Sequence, residues 1–286
     1  MQGLMMNLPL AVSSLLKHAD RHHGEVEIVS RRVEGDIHRY TYRAAHERAR
    51  KLANALAKLG AKPGDRIATL AWNGYRHLEI YYAVAGSGMI THTVNPRLFP
   101  DQIRWILDHA EDHTLFFDLT FLPLAEAIHA ACPHLRHFVL LTDRAHMPAE
   151  TKIRDLLCYE DLLAAESADF VWPELDENTA CGLCYTSGTT GNPKGALYSQ
   201  RSTVLHAYAQ CLPDAMALSA RECVLPVVPC STSTRGAFLS PRRWSEPSSC
   251  SPVRAWTANR CTSSSSRKGS RSRRACPRCG WGCCNT

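Results

Sequence analysis

Eleven residues, Tyr185-Thr-Ser-Gly-Thr-Thr-Gly-Asn-Pro-Lys-Gly195, carry the strongest chemical signal in the chain. With three glycines and four Ser or Thr side chains the stretch cannot fill a core. Its backbone N–H groups can instead converge on an anion, a concavity that binds phosphate. Lys194 adds a point charge for phosphate oxygens. The spacing is not that of a Walker A loop, because Pro193 precedes the lysine and Gly195 follows it. A Gly-rich string of this kind can also be no more than a turn.

The flanking elements must position that string. Residues 179–185 read as a short buried strand and 196–211 as a helix. The string then sits at a strand-to-helix junction, where a helix N-terminus adds partial positive charge. Upstream, 8–22 is helix-like, and 26–30 with 38–42 alternate like a hairpin around Gly35-Asp36. Residues 43–59 form an amphipathic helix, with Ala45, Ala49, Leu52, Ala53 and Leu56 at helical spacing and Gly60 as its stop. Strands are expected at 66–71, 89–94, 114–118 and 138–141, and helices at 75–87, 100–109 and 125–131. That alternation predicts an α/β fold whose mostly parallel sheet is flanked by helices. Ligands of such sheets collect at the carboxyl ends of strands, where the Thr186 loop falls.

The whole eleven-residue string resembles the phosphate-binding signature of the AMP-forming adenylating enzymes. Asp65-Arg-Ile-Ala-Thr-Leu-Ala-Trp-Asn73, Arg76-His-Leu-Glu79, Asn95-Pro-Arg-Leu98, His109-Ala-Glu-Asp112 and Val224-Leu-Pro-Val-Val-Pro229 are similar to the medium- to long-chain fatty-acyl-CoA ligase branch. The resemblance covers roughly residues 5–229, about the first two fifths of a full-length member. It implies the N-terminal part of an AMP-binding (adenylation) domain over 1–229. It also implies a two-step reaction: a carboxylate such as a fatty acid attacks Mg-ATP to give acyl-adenylate and pyrophosphate, and the thiol of coenzyme A then displaces AMP. The cofactors so implied are ATP, Mg2+ and coenzyme A.

By the same resemblance Thr186, Ser187, Gly188, Thr189, Thr190 and Gly191 embrace the β- and γ-phosphates. Lys194 steadies the pyrophosphate as the catalytic candidate, and the Thr186 hydroxyl joins the magnesium shell. Gln200 stands where many members carry histidine. The groups that members use for the acyl site, adenine, ribose and adenylation lie beyond the matching region, which implies an inactive fragment. The competing expectation is a non-catalytic nucleotide-binding module, or one that forms a homodimer through the N-terminal region.

Composition divides the chain at Pro229. Residues 230–286 hold ten Arg and one Lys against Glu246 alone, with 13 Ser and seven Cys. Positions 1–229 keep 22 basic and 26 acidic residues, so the overall charge of +6 comes from the tail. Six cysteines in the body follow no disulfide pattern, and no apolar run approaches a spanning helix, which together point to a reduced, cytoplasmic protein. His77, His92, His109 and His113 show no metal-ligand spacing and read as surface or satisfied core residues. Arg43, Arg48, Arg50 and Lys51 read as the solvated face of their helix.

The tail has three readings. A basic, Ser-rich disordered extension would bind nucleic acid through charge. A zinc knuckle at Cys276, Cys279, Cys283 and Cys284 lacks the usual two separated pairs. The third hypothesis is out-of-frame translation. If residues 230–237 are read from TGT TCC ACG TCA ACG CGT GGG GCC, an A placed in front restores Met-Phe-His-Val-Asn-Ala-Trp-Gly, the segment that follows Leu-Pro-Val-Val-Pro in the ligase branch. The third reading leaves no nucleic-acid partner to explain. Resequencing the source DNA across these codons tests it, and an intact frame with independent relatives for the tail would sink it.

Overall fold

The computed structural model of the chain describes residues 1, 5–186, 192–220, 223–226 and 245–246. Helix α1 (Ser13–His23) leads into an antiparallel hairpin of β1 (Glu27–Arg31) and β2 (Ile37–Thr41), with Val29 opposite Arg39. Gly35 turns the hairpin at φ +109°, a left-handed value that glycine adopts without strain. Thr41 then caps α2 (Tyr42–Lys58), its Oγ1 accepting from Ala44 N at 3.3 Å. The apolar positions predicted for this helix are all buried, and Gly60 ends it at φ +83°.

Strands and helices alternate from there: β3 (Arg66–Leu70), α3 (Tyr75–Gly86), β4 (Ile90–Thr93), α4 (Pro100–Ala110), β5 (Thr114–Phe117), α5 (Leu122–Ala131), β6 (His137–Leu140), β7 (Leu157–Cys158), α6 (Tyr159–Ala164), β8 (Ala180–Thr186), β9 (Lys194–Ser199) and α7 (Gln200–Cys211). A two-residue strand, β10 (Ser245–Glu246), lies parallel to β1. The large sheet has the order β7-β6-β5-β3-β4-β8-β9 and is parallel except for its last pair, β8 with β9.

The pleat sends Ile67, Phe116 and Val139 to the face packed by α1, α2, α3 and α6. Ala68, Leu115, Phe117 and Leu140 go to the opposite face, against α4 and α5. Each fully buried Ile, Val, Leu or Phe among them contributes about 1.5–3 kcal/mol. A sheet covered on both faces needs near-continuous apolar strands, which is why β5 reads Thr-Leu-Phe-Phe. Helix α3 is buried along all 12 of its residues, including Arg76, His77 and Glu79.

Two sequence expectations are corrected. Residues 196–199 belong to β9 rather than to a helix, and α7 begins only at Gln200, where Ser199 caps it by accepting from Ser202 N. The ladder with β8 runs from Thr186 opposite Lys194 to Leu183 opposite Leu197, and those bonds outweigh the helical pattern of a short segment. The second correction concerns Arg48, whose side chain is 23% exposed and ion-paired to a Glu79 that is 0% exposed. It belongs to the interior side of α2. His77 does behave as a core histidine, bonded to Trp72 O and Thr69 Oγ1. All six cysteines of the described residues are free thiols. Among the described residues no helix is long and apolar enough to cross a membrane.

Candidate functional site

β8 climbs out of the core, from buried Cys181 and Cys184 to exposed Thr186 at its carboxyl end. Because β8 is parallel to β4, that end lies on the side of the sheet where strand termini gather ligands. Lys194 opens β9 directly opposite Thr186, and the Thr186 Oγ1 donates to the Lys194 carbonyl at 3.4 Å. Both residues are exposed. Ser187, Gly188, Thr189, Thr190 and Gly191 lie outside the described residues. The structure therefore brings together the two ends of the sequence-identified loop. It places them in a hairpin instead of at a helix N-terminus.

The hairpin is braced from behind. Gly195 faces Tyr185 across the ladder, and a Cβ there would come within 3.2 Å of the Tyr185 ring and of Leu183 Cδ1. Glycine is what lets the ring lie over the neighbouring strand. The Tyr185 hydroxyl meets His109 Nδ1 at 2.7 Å, and burial pushes its phenol up to about 12. It is a neutral brace at ordinary pH. His92, 5.2 Å from the Tyr185 ring, is fully buried and meets Asp112 at 2.6 Å. Its other ring nitrogen has no partner among the described groups, so this core histidine is only half satisfied.

Gln200, singled out in the sequence as a departure, is completely buried. Its Oε1 accepts from Val12 N at 2.8 Å and its Nε2 donates to Ala85 O at 2.7 Å. One amide thus ties the entry to α1, the end of α3 and the start of α7 together. Nothing in the sequence signals this link, since the three partners are distant along the chain.

A second concavity opens at the carboxyl ends of β1, β3, β5 and β6. It is lined by Ser30, Trp72, Asn73, Arg76, Asp118 and Leu141 among others. Burial raises the Asp118 carboxyl to about 7, although the Trp72 N–H donates to it at 2.6 Å and Arg76 pulls the other way. A carboxyl that changes charge near neutrality at a strand end can give or take a proton. Asn73 reaches from this cavity to donate to Pro226 O at 3.2 Å, joining two of the sequence segments noted above.

Beneath the cavity runs a chain of alternating charges. Arg48 bonds Glu79 at 2.8 Å and Glu160 at 2.9 Å, and Arg76 bonds Glu160 and Glu34, each at 2.8 Å. Tyr159 and Tyr75 donate to Glu79 and Glu160. Burial alone would raise Glu160, but the charges and hydrogen bonds of Arg48 and Arg76 outweigh it and hold the carboxyl at about 2. These groups clamp α2, α3 and α6 to one another.

Residues 15–239 match the AMP-binding enzyme family. The chain belongs to that family. Among AMP-binding enzymes, the medium-chain-fatty-acid–CoA ligase of Ectopseudomonas oleovorans is 50% identical over 229 residues, 80% of this chain and 42% of that protein. The 3-methylmercaptopropionyl-CoA ligase of Ruegeria lacuscaerulensis is 52% identical over 229 residues, with the same shares covered. The fold matches the crystal structure of an anthranilate CoA ligase in complex with anthranoyl-AMP at a TM-score of 0.74 and 20% identity, covering 93% of this chain and 50% of that one. The chain spans about 42% of the length of these curated relatives.

Proposed function

We propose that this AMP-binding chain carries the phosphate-gripping part of an ATP-dependent acid–thiol ligase acting on a fatty acid or a similar carboxylate. The observation that best supports this reading is the pairing of Thr186 with Lys194 at the carboxyl end of β8, inside the region matched to the family. In the reaction a carboxylate oxygen attacks the α-phosphorus of Mg-ATP, forming an acyl-adenylate and releasing pyrophosphate. The coenzyme A thiol then attacks the acyl carbon and AMP leaves. No bond to the protein forms, so the protein's work is positioning and charge stabilisation.

On this reading residues 187–191 wrap the β- and γ-phosphates, Lys194 offsets the charge gathering on pyrophosphate, and the Thr186 hydroxyl reaches Mg2+. The two described residues fit those roles. Both are open to solvent, and Thr186 gives up only a 3.4 Å contact on turning to a ligand. Free thiols throughout the described residues are in keeping with a reducing, cytoplasmic setting. The 286-residue chain is expected to bind Mg-ATP without completing turnover.

Equilibrium binding of Mg-ATP together with an acyl-dependent ATP–pyrophosphate exchange assay tests both halves. Saturable, magnesium-dependent binding that weakens about 10- to 100-fold in Lys194→Ala, as expected for loss of one charge-assisted contact, supports the phosphate role. A folded chain that binds no ATP, or binds equally well without Lys194, refutes it. Lys194-dependent exchange would overturn the expectation of no turnover.

A further inference from the structure

Glu34 sits in the turn between β1 and β2, while Asp143 and His146 follow β6 on a single 3-10 turn formed by Arg144–His146. The fold brings these distant segments together, so that one ligand atom from each residue lies within 4.8 Å of the other two. His146 Nδ1 and Asp143 Oδ1 are 2.6 Å apart. The Glu34 side chain is 1% exposed, yet its Oε2 is buried without a hydrogen-bond partner. A carboxylate oxygen taken out of water and left unpaired is costly unless a cation or donor reaches it.

Other groups fix the far side of each carboxylate. Arg76 and the Thr142 hydroxyl donate to Glu34 Oε1 at 2.8 and 3.0 Å, and Arg32 donates to Asp143 Oδ2 at 2.9 Å. Asp143 Oδ1 caps the 3-10 turn, accepting from Ala145 N and His146 N at 3.1 and 3.2 Å, and faces the His146 imidazole as a nitrogen donor. Of these carboxylate oxygens only Glu34 Oε2 has no hydrogen-bond partner. Asp36, bonded to Arg32 through both carboxylate oxygens at 2.6 and 2.7 Å, adds a third carboxylate against the two guanidinium groups. The local balance therefore still favours a cation.

We propose that Glu34, Asp143 and His146 form a binding site for a hard divalent cation of the Mn2+ class. Two carboxylate oxygens and one imidazole suit such an ion, which completes an octahedral shell with water. Ligand atoms around it stand about 3 Å apart along an edge and about 4.3 Å across, so the three residues reach this geometry through small side-chain shifts. Arg32, Arg76 and Thr142 then act as the orienting groups behind the ligands.

The test is titration of the purified 286-residue chain with Mn2+ alone, followed by electron paramagnetic resonance. Leaving out nucleotide keeps the phosphate loop out of the readout. The expected result is saturable binding of one Mn2+ with electron-spin-echo modulation from a single imidazole nitrogen. His146→Ala removes that modulation and weakens binding by at least about tenfold, and Glu34→Gln weakens it similarly. The His146 ring is 45% exposed, so His146→Ala without metal keeps the parent circular dichroism and melting temperature. No saturable Mn2+ binding, or nitrogen modulation that survives in His146→Ala, overturns the proposal.

Discussion

Replacing Asp118 with asparagine removes a charge that the fold holds at a disadvantage. Burial lifts this carboxyl from its ordinary 3.8 to about 7. The unfolded chain therefore loses its proton first as pH rises. The stability that Asp118 contributes is complete below pH 3.8, falls as pH climbs towards about 7, and is flat above that. A gap of about three units corresponds to about 4 kcal/mol, at roughly 1.36 kcal/mol per unit. Of this, about 1.7 kcal/mol is already lost at about pH 5, and the remainder goes by about pH 8.

The asparagine carbonyl can accept the same bond from Trp72 N and does not titrate. Urea unfolding of the parent and of Asp118→Asn should then give a stability difference that shifts in the variant's favour by about 2–3 kcal/mol between about pH 5 and about pH 8. Comparing the variant with its parent at each pH cancels every other titrating group. A difference that is the same at both pH values would mean that Asp118 is already ionised in the folded protein, and the reasoning would fail.

Arg48→Ala should destabilise the chain by about 3–5 kcal/mol, because it leaves the Glu79 carboxyl, which burial already pushes towards its protonated form, without its partner. The double variant Arg48→Met with Glu79→Leu should recover most of that loss in the same urea assay, and equal instability of single and double variants would refute the pairing. Gly195→Ala should cost about 1–3 kcal/mol through its contact with the Tyr185 ring. The companion change Tyr185→Ala should remove the ring's share of that penalty in thermal melts and leave the share due to Leu183 Cδ1.

The sequence made the order of strands and helices readable wherever a single period ran long enough. The five alanines and leucines of α2 and the Pro100-Asp101 start of α4 needed no tertiary knowledge. β9 was not readable in that way. Its six residues are compatible with the start of a helix, and only the ladder to β8 decides between the two. The chemistry of the 186–194 loop was legible because residue types alone suggest it. Arg48, Asp118 and Glu34 were not, because their character depends on partners brought in from afar. Arg48 reads as a surface charge until α6 supplies Glu160, 112 residues away. Asp118 is an ordinary aspartate until the folded chain buries it against the pull of Trp72 and Arg76.

β9 returns beside β8 in antiparallel register, so the loop between Thr186 and Lys194 is closed by its own ladder and not by a helix that must also pack the sheet. Doubling its seven residues would add only about 0.6 kcal/mol of closure entropy, and no helix would have to move. At a strand-to-helix junction, each added residue would rotate or displace the helix behind it. The loop is in this sense an exchangeable cassette. Its length and composition answer to the phosphate it is proposed to hold and not to the packing of the sheet, so the parallel strands beneath keep their register when it changes.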